Sequence, residues 1–296
     1  MRWRGRRQSE NVEDRRGLSP RVAAGGGGGA LLLIGIVIAG KLGGCDAGQI
    51  QQVADMAQQV QQRRGGVPDA PAGNGVDDEA SQFVKVILAD TEEVWTKLFR
   101  SDLDGADYPE PELILFSDAV RTEGCGTGSA SMGPFYCPAD RKIYVPPSFF
   151  EELAKRHNAP GDFAQAYVIA HEVAHHVQNV LGLNRQLRAA QQGGNKLETN
   201  RQSVRLELQA DYLAGVWAHH AQKQFDILEA GDIEEAMNAA RQIGDDQLQR
   251  ESLGRTVPEH YTHGTSAQRM RWFRREMQSG NLNECLKLAE LPYSDL

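Results

Sequence analysis

The spacing of apolar side chains divides the chain into a part with a few strands and a longer helical part. Apolar residues recur three or four positions apart between residues 81 and 99, and this period predicts an amphipathic helix. Two short apolar runs, at residues 111–120 and 141–145, are bounded by turn residues and predict buried strands. Helical spacing dominates after residue 148. A few strands followed by many helices predict an α+β domain, mostly helical with a small sheet, over residues 81–296.

Two of the predicted helices carry most of the candidate chemistry. The first follows a Pro-Gly-Asp break at residues 160–162 and ends near Gly182, because glycine commonly terminates helices. The second covers residues 201–224, and the polar stretch between the two helices predicts a loop. Further glycines downstream predict the ends of later helices.

An uncharged apolar run separates an arginine-rich N-terminus from the acidic remainder of the chain. Residues 1–21 contain seven arginines, and residues 22–40 contain no charged side chain. A run of about 20 apolar residues spans a bilayer, and positive charges stay on the cytoplasmic side. The pattern therefore predicts an arginine-rich cytoplasmic tail at 1–21, a transmembrane anchor at 22–44 and a Gln/Gly/Pro-rich linker at 45–80.

This organisation predicts a single-pass membrane protein whose main domain is periplasmic or extracellular. Five consecutive glycines at positions 25–29 weaken the apolar helix, so a buried core helix or a flexible glycine linker beside a short apolar segment is the alternative. Residues 42–45 also fit a lipoprotein cleavage box, in which Cys45 becomes a lipidated N-terminus, although Lys41 directly precedes the box. The anchor and the lipid would each tether the domain to a membrane.

Charge and cysteine content limit the classes of partner and of metal site. The formal net charge of −8 argues against nucleic acid as a partner, because binding phosphates needs a basic surface. Cys125 and Cys137 flank a glycine-rich loop, and an exported domain permits a disulfide between them, with two free buried thiols as the alternative. The chain has no CxxC pair, which argues against a thiolate zinc site. The oligomeric state leaves no signal in the sequence.

The stretch AYVIAHEVAHHVQN, residues 166–179, predicts a metal-binding helix. His171 and His175 are four residues apart and share one helix face, so both rings can bind one zinc ion. Glu172 lies one position round the helix, where it can take a proton from a water on the metal and pass it to a leaving amine. The same pattern also occurs by chance on ordinary helices. Whether this helix binds a metal therefore depends on whether the rest of the chain supplies the remaining ligands.

A catalytic zinc site needs a third protein ligand and an open fourth position. The metzincin pattern requires a glycine and a histidine where this chain has Gln178 and Leu181, so that class is excluded. Glu207 and Asp211 instead lie four residues apart on the downstream helix, among apolar residues. We predict that Glu207 is the third ligand and that Asp211 fixes the tautomer of a zinc-bound histidine by accepting its hydrogen bond. A solvated acidic helix face is the alternative.

The segments HEVAHH and ELQAD together resemble the gluzincin metallopeptidases, in which a HExxH helix and an ExxxD helix hold zinc. More narrowly, GPFYCPADRKIYV, GDFAQAYVIAHEVAHHVQN and THGTSAQRMRWFRR resemble the bacterial membrane-anchored neutral zinc metallopeptidases, over the anchor and nearly all of residues 81–280. The resemblance implies a zincin-like fold and zinc as cofactor. It places His171, Glu172, His175 and Glu207 at the matching positions of that family.

Two further expectations come with the resemblance. The edge strand of a zincin sheet pairs with an extended substrate, and Lys142–Val145 is the candidate, with an ordinary core strand as the alternative. The segment THGTSAQR resembles one that follows the zinc helices of related membrane gluzincins. His263 is therefore expected to stabilise the oxyanion of the reaction, or alternatively to cap the next helix, and Arg269 to brace an acidic group behind the ligands.

The sequence therefore predicts a membrane-tethered zinc metallopeptidase of the bacterial cell envelope, an endopeptidase acting on protein or peptide substrates with Glu172 as general base. The main alternative is a catalytically inactive zinc-binding envelope module that acts as a binding or scaffold protein. Retention of Glu172 argues against it, because an inactive protein does not need the base. A helical domain without any metal is the third possibility.

Overall fold

The structure is a computed structural model that describes residues 1–16, 77–288 and 290–296. Its strands are β1 (Val12–Asp14), β2 (Glu112–Leu115), β3 (Ala119–Arg121), β4 (Thr127–Ser129), β5 (Phe135–Cys137) and β6 (Lys142–Val145). Its helices are α1 (Glu79–Asp102), α2 (Ser148–Lys155), α3 (Asp162–Val180), α4 (Arg185–Gln192), α5 (Lys196–Phe225), α6 (Asp232–Gln242), α7 (Asp245–Leu253), α8 (Ser266–Ser279) and α9 (Cys285–Leu288).

Four strands form a mixed sheet in the order β1-β2-β6-β5, and β3 and β4 form a separate antiparallel hairpin. Strands β1, β2 and β6 run parallel, whereas β5 runs antiparallel to β6. Side chains alternate between the two faces of the sheet, as the two-residue period of a strand requires. Leu113 and Ile143 join the large core built with the helices, while Ile114 and Tyr144 pack in a smaller cluster with Val120. This mostly helical chain with a small sheet confirms the α+β prediction.

The prediction that Lys142–Val145 forms the edge of the sheet is wrong. Lys142–Val145 is β6, which lies between β2 and β5, so it is the core strand of the alternative prediction. Within the described part of the chain, the edge on that side is β5, a strand of only three residues beside a glycine-rich loop. The predicted disulfide between Cys125 and Cys137 is confirmed, and it ties the end of β5 to that loop.

Two other predicted boundaries differ because of single turn and cap residues. The run 111–120 is divided in two, since Asp118 adopts a left-handed conformation with φ of 56° and turns the chain from β2 into β3. The stretch between the two site helices contains α4 and the start of α5 rather than a loop. Asn195 begins α5 by accepting a hydrogen bond from the backbone N–H of Glu198 at 3.1 Å.

Helix α3 packs against α5, and α5 packs against α8. The approach of α5 and α8 depends on Gly215, where a Cβ atom would lie 2.4 Å from the carbonyl oxygen of Phe273. Only glycine permits this close contact of two helix backbones. The close packing brings Arg269 of α8 to Asp211 of α5, behind the candidate metal ligands.

Residues 1–16 belong to the folded domain, which corrects the prediction of a separate arginine-rich tail. Strand β1 pairs in parallel with β2 over three residues of each strand. Arginines of this segment form ion pairs with acids of α1, including Arg6–Asp90 at 2.7 Å and Arg7–Glu92 at 2.8 Å. The basic residues that resemble a cytoplasmic signal in the sequence are therefore partners of acids in the domain.

The ladder between β1 and β2 also bears on membrane topology. A single crossing between residues 16 and 77 would put these two strands on opposite sides of a membrane, where they cannot pair. Arg16 and Asp78 form an ion pair at 2.7 Å, so the chain leaves the domain and returns to it at one place. A cytoplasmic N-terminus joined by one span to an exported domain is therefore incompatible with this fold.

The predicted anchor at 22–44 and Cys45 lie outside the described residues. Among the residues that are described, none of the helices combines the length and the apolar character needed to cross a bilayer.

We expect residues 1–16 and the main domain to lie on the same side of any membrane. Single cysteines at the exposed positions Glu10 and Gln191, each in a Cys45→Ser background, should react alike with a membrane-impermeant maleimide in intact and in lysed cells. The buried Cys285 serves as the unreactive control. Labelling of one position in intact cells and of the other only after lysis would contradict the pairing of β1 with β2.

Candidate metal centre

Two histidines of α3 and one glutamate of α5 converge at the contact between these helices. The Nε2 atom of His171 lies 3.2 Å from Oε2 of Glu207, and the Nε2 atom of His175 lies 3.5 Å from Oε1 of the same carboxylate. The two imidazole rings are perpendicular, with centroids 4.8 Å apart. The four-residue spacing on α3 thus directs both rings at one carboxylate of the neighbouring helix.

The spacing of these donor atoms fits a small divalent metal ion. Tetrahedral zinc with bonds of about 2.0–2.1 Å requires neighbouring ligand atoms about 3.3 Å apart. The observed separations of 3.2 and 3.5 Å bracket this value. One ligand atom from each of the three residues lies within 4.8 Å of the others. Two imidazole nitrogens and one carboxylate oxygen are the donor set that zinc accepts in hydrolytic sites.

Asp211 holds the first histidine in the orientation that metal binding requires. Its Oδ1 accepts hydrogen bonds from Nδ1 of His171 at 2.9 Å and from the hydroxyl of Tyr167 at 2.5 Å. Arg269 donates to both carboxylate oxygens, from Nε at 2.8 Å and from Nη2 at 2.9 Å. With its proton on Nδ1, the neutral ring of His171 would present the lone pair of Nε2 to a metal. The sequence predicted an orienting role for Asp211 and a bracing role for Arg269, and these contacts leave both roles as predictions.

Burial and charge act in opposite directions on the buried carboxylate of Asp211. Burial alone would raise the pKa of Asp211, but the guanidinium of Arg269 and the ring of His171 outweigh it and lower that pKa below its ordinary value. The carboxylate is therefore ionised at neutral pH and acts only as an acceptor.

His175 is oriented by Gln178, a residue that the sequence did not single out as functional. Oε1 of Gln178 accepts from Nδ1 of His175 at 2.8 Å. Its amide nitrogen donates to the carbonyl oxygen of Leu206 at 2.7 Å and to Oε1 of Gln209 at 3.0 Å, both on α5. Gln178 thus stands where a metzincin would have glycine, and it fixes the tautomer of the second histidine instead. The only feature of the sequence that indicates this contact is the position of Gln178 three residues after His175, on the same helix face.

Glu172 lies within electrostatic range of His175. Its side chain is buried, with 8% of its surface exposed. Burial lowers the pKa of His175, but the charges of Glu207 and Glu172 oppose this effect, and the net shift of that pKa is upward. The carboxylate of Glu172 is therefore close enough to the ring of His175 for its charge to act on that ring.

His263 lies at the border of the site, on the loop before α8. Nδ1 of His263 is 3.2 Å from Oδ1 of Asp245, the first residue of α7. The other oxygen of Asp245 accepts the backbone N–H groups of Thr262 and His263, both at 2.6 Å, and of Gly264 at 3.0 Å. Asp245 therefore holds both the ring and the loop, a role that no local pattern of residues indicates.

The charge of Glu207 reaches the ring of His263. Burial lowers the pKa of His263, and the carboxylates of Glu207 and Asp245 raise it by more, so that pKa lies above its ordinary value. The ring of His263 is thus a cationic or neutral donor, about half exposed, within range of the charge of Glu207. The alternative of a cap for α8 is excluded, because Thr265 caps that helix.

The chain matches a family model described as "Putative neutral zinc metallopeptidase" over residues 1–288. Uncharacterized protein YpfJ of Escherichia coli K12 is 47% identical over 293 residues, which cover 96% of this chain and 98% of the relative. Uncharacterized protein Rv2575 of Mycobacterium tuberculosis H37Rv is 42% identical over 217 residues, covering 70% of this chain and 71% of the relative. No solved structure is significantly similar to the chain.

The purified protein is expected to contain about one zinc ion per chain, measured by atomic absorption after dialysis. His171→Ala and Glu207→Ala should each abolish this zinc, whereas Asp211→Asn should weaken zinc affinity about 10- to 100-fold in competition with a chelator. His260→Ala, at an exposed histidine, is the matched control and should keep the ion. Full zinc occupancy in the Glu207→Ala protein would remove Glu207 from the ligand set.

Proposed function

The chain belongs to the neutral zinc metallopeptidase family, and on this basis we propose that it is a zinc-dependent endopeptidase that hydrolyses peptide bonds in proteins or peptides. The observation that carries the proposal is the convergence of His171 Nε2, His175 Nε2 and the Glu207 carboxylate on one point. These three residues would hold the metal. Zinc, when bound there, supplies a Lewis acid and lowers the pKa of a water molecule to about 7.

Glu172 acts as the general base of the proposed reaction. It directly follows His171 on α3, and its charge raises the pKa of His175. It has no part in the set of metal-binding atoms, so its carboxylate is available for proton transfer. Glu172 takes a proton from the attacking water and delivers it to the leaving amine when the peptide bond breaks.

His263 stabilises the negative charge that develops on the carbonyl oxygen of the substrate. Its Nδ1 is bound to Asp245, so the opposite nitrogen of the ring, Nε2, faces away from that carboxylate and is the available donor. A donor held by a buried carboxylate needs no rearrangement when the charge appears. Asp245 acts as a positioning residue, through His263.

Strand β5 is the element that pairs with an extended substrate. It is the outer strand of the described sheet on the side of α3, and α3 contacts it. An unpaired strand edge offers backbone N–H and C=O groups to a peptide by strand addition. The resemblance assigned this role to the edge strand of the sheet, with Lys142–Val145 as the candidate, and β5 takes the place of that candidate.

Attachment to a membrane without a single crossing, and export of the domain, remain part of the proposal. They rest on the uncharged run at residues 22–40 and on the disulfide between Cys125 and Cys137, which is typical of oxidising compartments. The pairing of β1 with β2 adds the condition that residues 1–16 accompany the domain.

Glu172→Gln should keep the zinc ion and lower kcat on a peptide library about 10²- to 10⁴-fold, because the neutral amide cannot accept the proton. The readouts are zinc content and cleavage followed by mass spectrometry. Glu234→Gln, at an exposed glutamate of α6, is the matched control. Equal turnover in both variants would exclude Glu172 as the base, and a wild-type protein that binds zinc and cleaves nothing would favour the inactive binding or scaffold module.

Asp245→Asn and His263→Ala should each lower kcat/KM about 10²-fold or more, the usual loss when an oxyanion donor is removed. Because Asp245 acts through His263, the double variant should be no worse than His263→Ala alone. Kinetics of the four proteins at equal zinc content test this. Multiplicative losses in the double variant would show that Asp245 does not act through the ring.

A further inference from the structure

The residue after the second candidate ligand has its own buried contacts on the other side of α3. The ring of His176 is buried and lies between two tyrosines, with centroids 5.7 Å from Tyr108 and 5.5 Å from Tyr136, edge-on to both. Its Nε2 lies 2.6 Å from the carbonyl oxygen of Pro109, and its Nδ1 lies 3.2 Å from the hydroxyl of Tyr136. Tyr136 is the central residue of β5.

The chemistry of the groups fixes the direction of every hydrogen bond in this set. The carbonyl oxygen of Pro109 can only accept, so Nε2 of His176 carries a proton and donates it. An imidazole that carries its proton on Nε2 has its lone pair on Nδ1, so Nδ1 of His176 is an acceptor. Tyr136 must then donate to Nδ1, and the amide nitrogen of Asn179, 3.0 Å away, donates to the oxygen of Tyr136. The bonds therefore run in one direction, from Asn179 through Tyr136 and His176 to Pro109.

The same turn of α3 thus carries a ring for the metal and a ring for the edge strand. His175 points its Nε2 at Glu207, while His176 and Asn179 hold the phenol of Tyr136. The two histidines are adjacent in sequence, so a rigid helix backbone links the strand to the candidate metal ligands over a single residue.

Strand β5 needs such an anchor, because it is short and is paired on one side only in the described sheet. Its three residues pair with β6, from Phe135 opposite Tyr144 to Cys137 opposite Lys142. Cys137 belongs to the smaller cluster on one face of the sheet and is tied to Cys125. Tyr136 points to the other face, toward α3, as the alternation along a strand requires.

We propose that His176, Tyr136 and Asn179 form a positioning set that fixes β5 against α3 and so sets the height at which an extended substrate lies over the metal ligands. The inference rests on the proposed function, since it concerns the strand with which the substrate would pair. These residues do not touch the reacting atoms and act through the backbone of β5.

The expected signature is a dependence of KM on substrate length. A substrate long enough to pair with β5 gains from the position of the strand, whereas a blocked dipeptide, too short to form a strand, does not. Tyr136→Phe removes the central hydroxyl at almost constant volume and leaves Nδ1 of His176 and the amide of Asn179 without this partner. Loss of one such buried bond changes an equilibrium about tenfold.

The test compares wild type, Tyr136→Phe and Tyr144→Phe on blocked dipeptides and on octapeptides that contain the same cleaved bond, in zinc-loaded protein. Tyr144 lies on β6, and its hydroxyl binds Asp140 at 2.7 Å, so the control makes the same substitution one strand away. We expect Tyr136→Phe to raise KM for octapeptides about tenfold, with kcat and dipeptide cleavage unchanged. Tyr144→Phe should match wild type on both substrates.

An unchanged octapeptide KM in Tyr136→Phe, or an equal loss on both substrate lengths, would overturn the inference while leaving the peptidase proposal intact. Wild-type protein that cleaves neither substrate would overturn the proposed function, and the inference with it. Should Tyr136→Phe not fold, Asn179→Ala removes the donor to the same hydroxyl. Its octapeptide KM is expected to rise about threefold to fivefold, and an unchanged value would overturn the inference.

Discussion

The buried carboxylate of Asp211 is the group on which the metal centre depends. It accepts hydrogen bonds from α3, through Tyr167 and His171, and from α8, through Arg269, while its own backbone belongs to α5. Three helices therefore meet at one ionised group. A buried carboxylate without these donors would be strongly unfavourable, so the packing of the helices and the orientation of the histidine ring depend on the same hydrogen bonds.

The packing that brings these groups together also gives each face of α3 a separate role. One face turns His171 and His175 toward α5, and the adjacent His176 turns toward the sheet. Gln178 links the same helix to the backbone of α5. The result is a rigid unit in which ligands, their orienting partners and the edge strand are separated by one or two helix turns. Small errors in the position of catalytic groups strongly reduce reaction rates, and a rigid unit of this kind keeps such errors small.

Local patterns predicted the two site helices, the disulfide between Cys125 and Cys137, and the residues that meet at the candidate metal centre. The HExxH spacing requires the two histidines to share a face, and an acid pair on an apolar helix is costly to bury unless a metal or a hydrogen-bond donor meets it. The partners of these residues were harder to predict from the sequence. Gln178, Asp245 and the β5 edge act through contacts between distant elements, and neither propensity nor periodicity encodes such contacts. The arginines of residues 1–16 led to the wrong prediction of a separate tail for the same reason, because their acidic partners lie on α1, far along the chain.

Anomalous diffraction at the zinc absorption edge, on crystals of the full chain, tests the central claim most directly. A single strong peak should lie within about 2.2 Å of His171 Nε2, His175 Nε2 and an oxygen of Glu207. Asp211 should remain bonded to the far nitrogen of His171. A peak among Asp162, Asp232 and Glu235, the other group of acids that lies close together in the described chain, would contradict the metal centre. So would a zinc ion held by the two histidines with Glu207 beyond bonding distance.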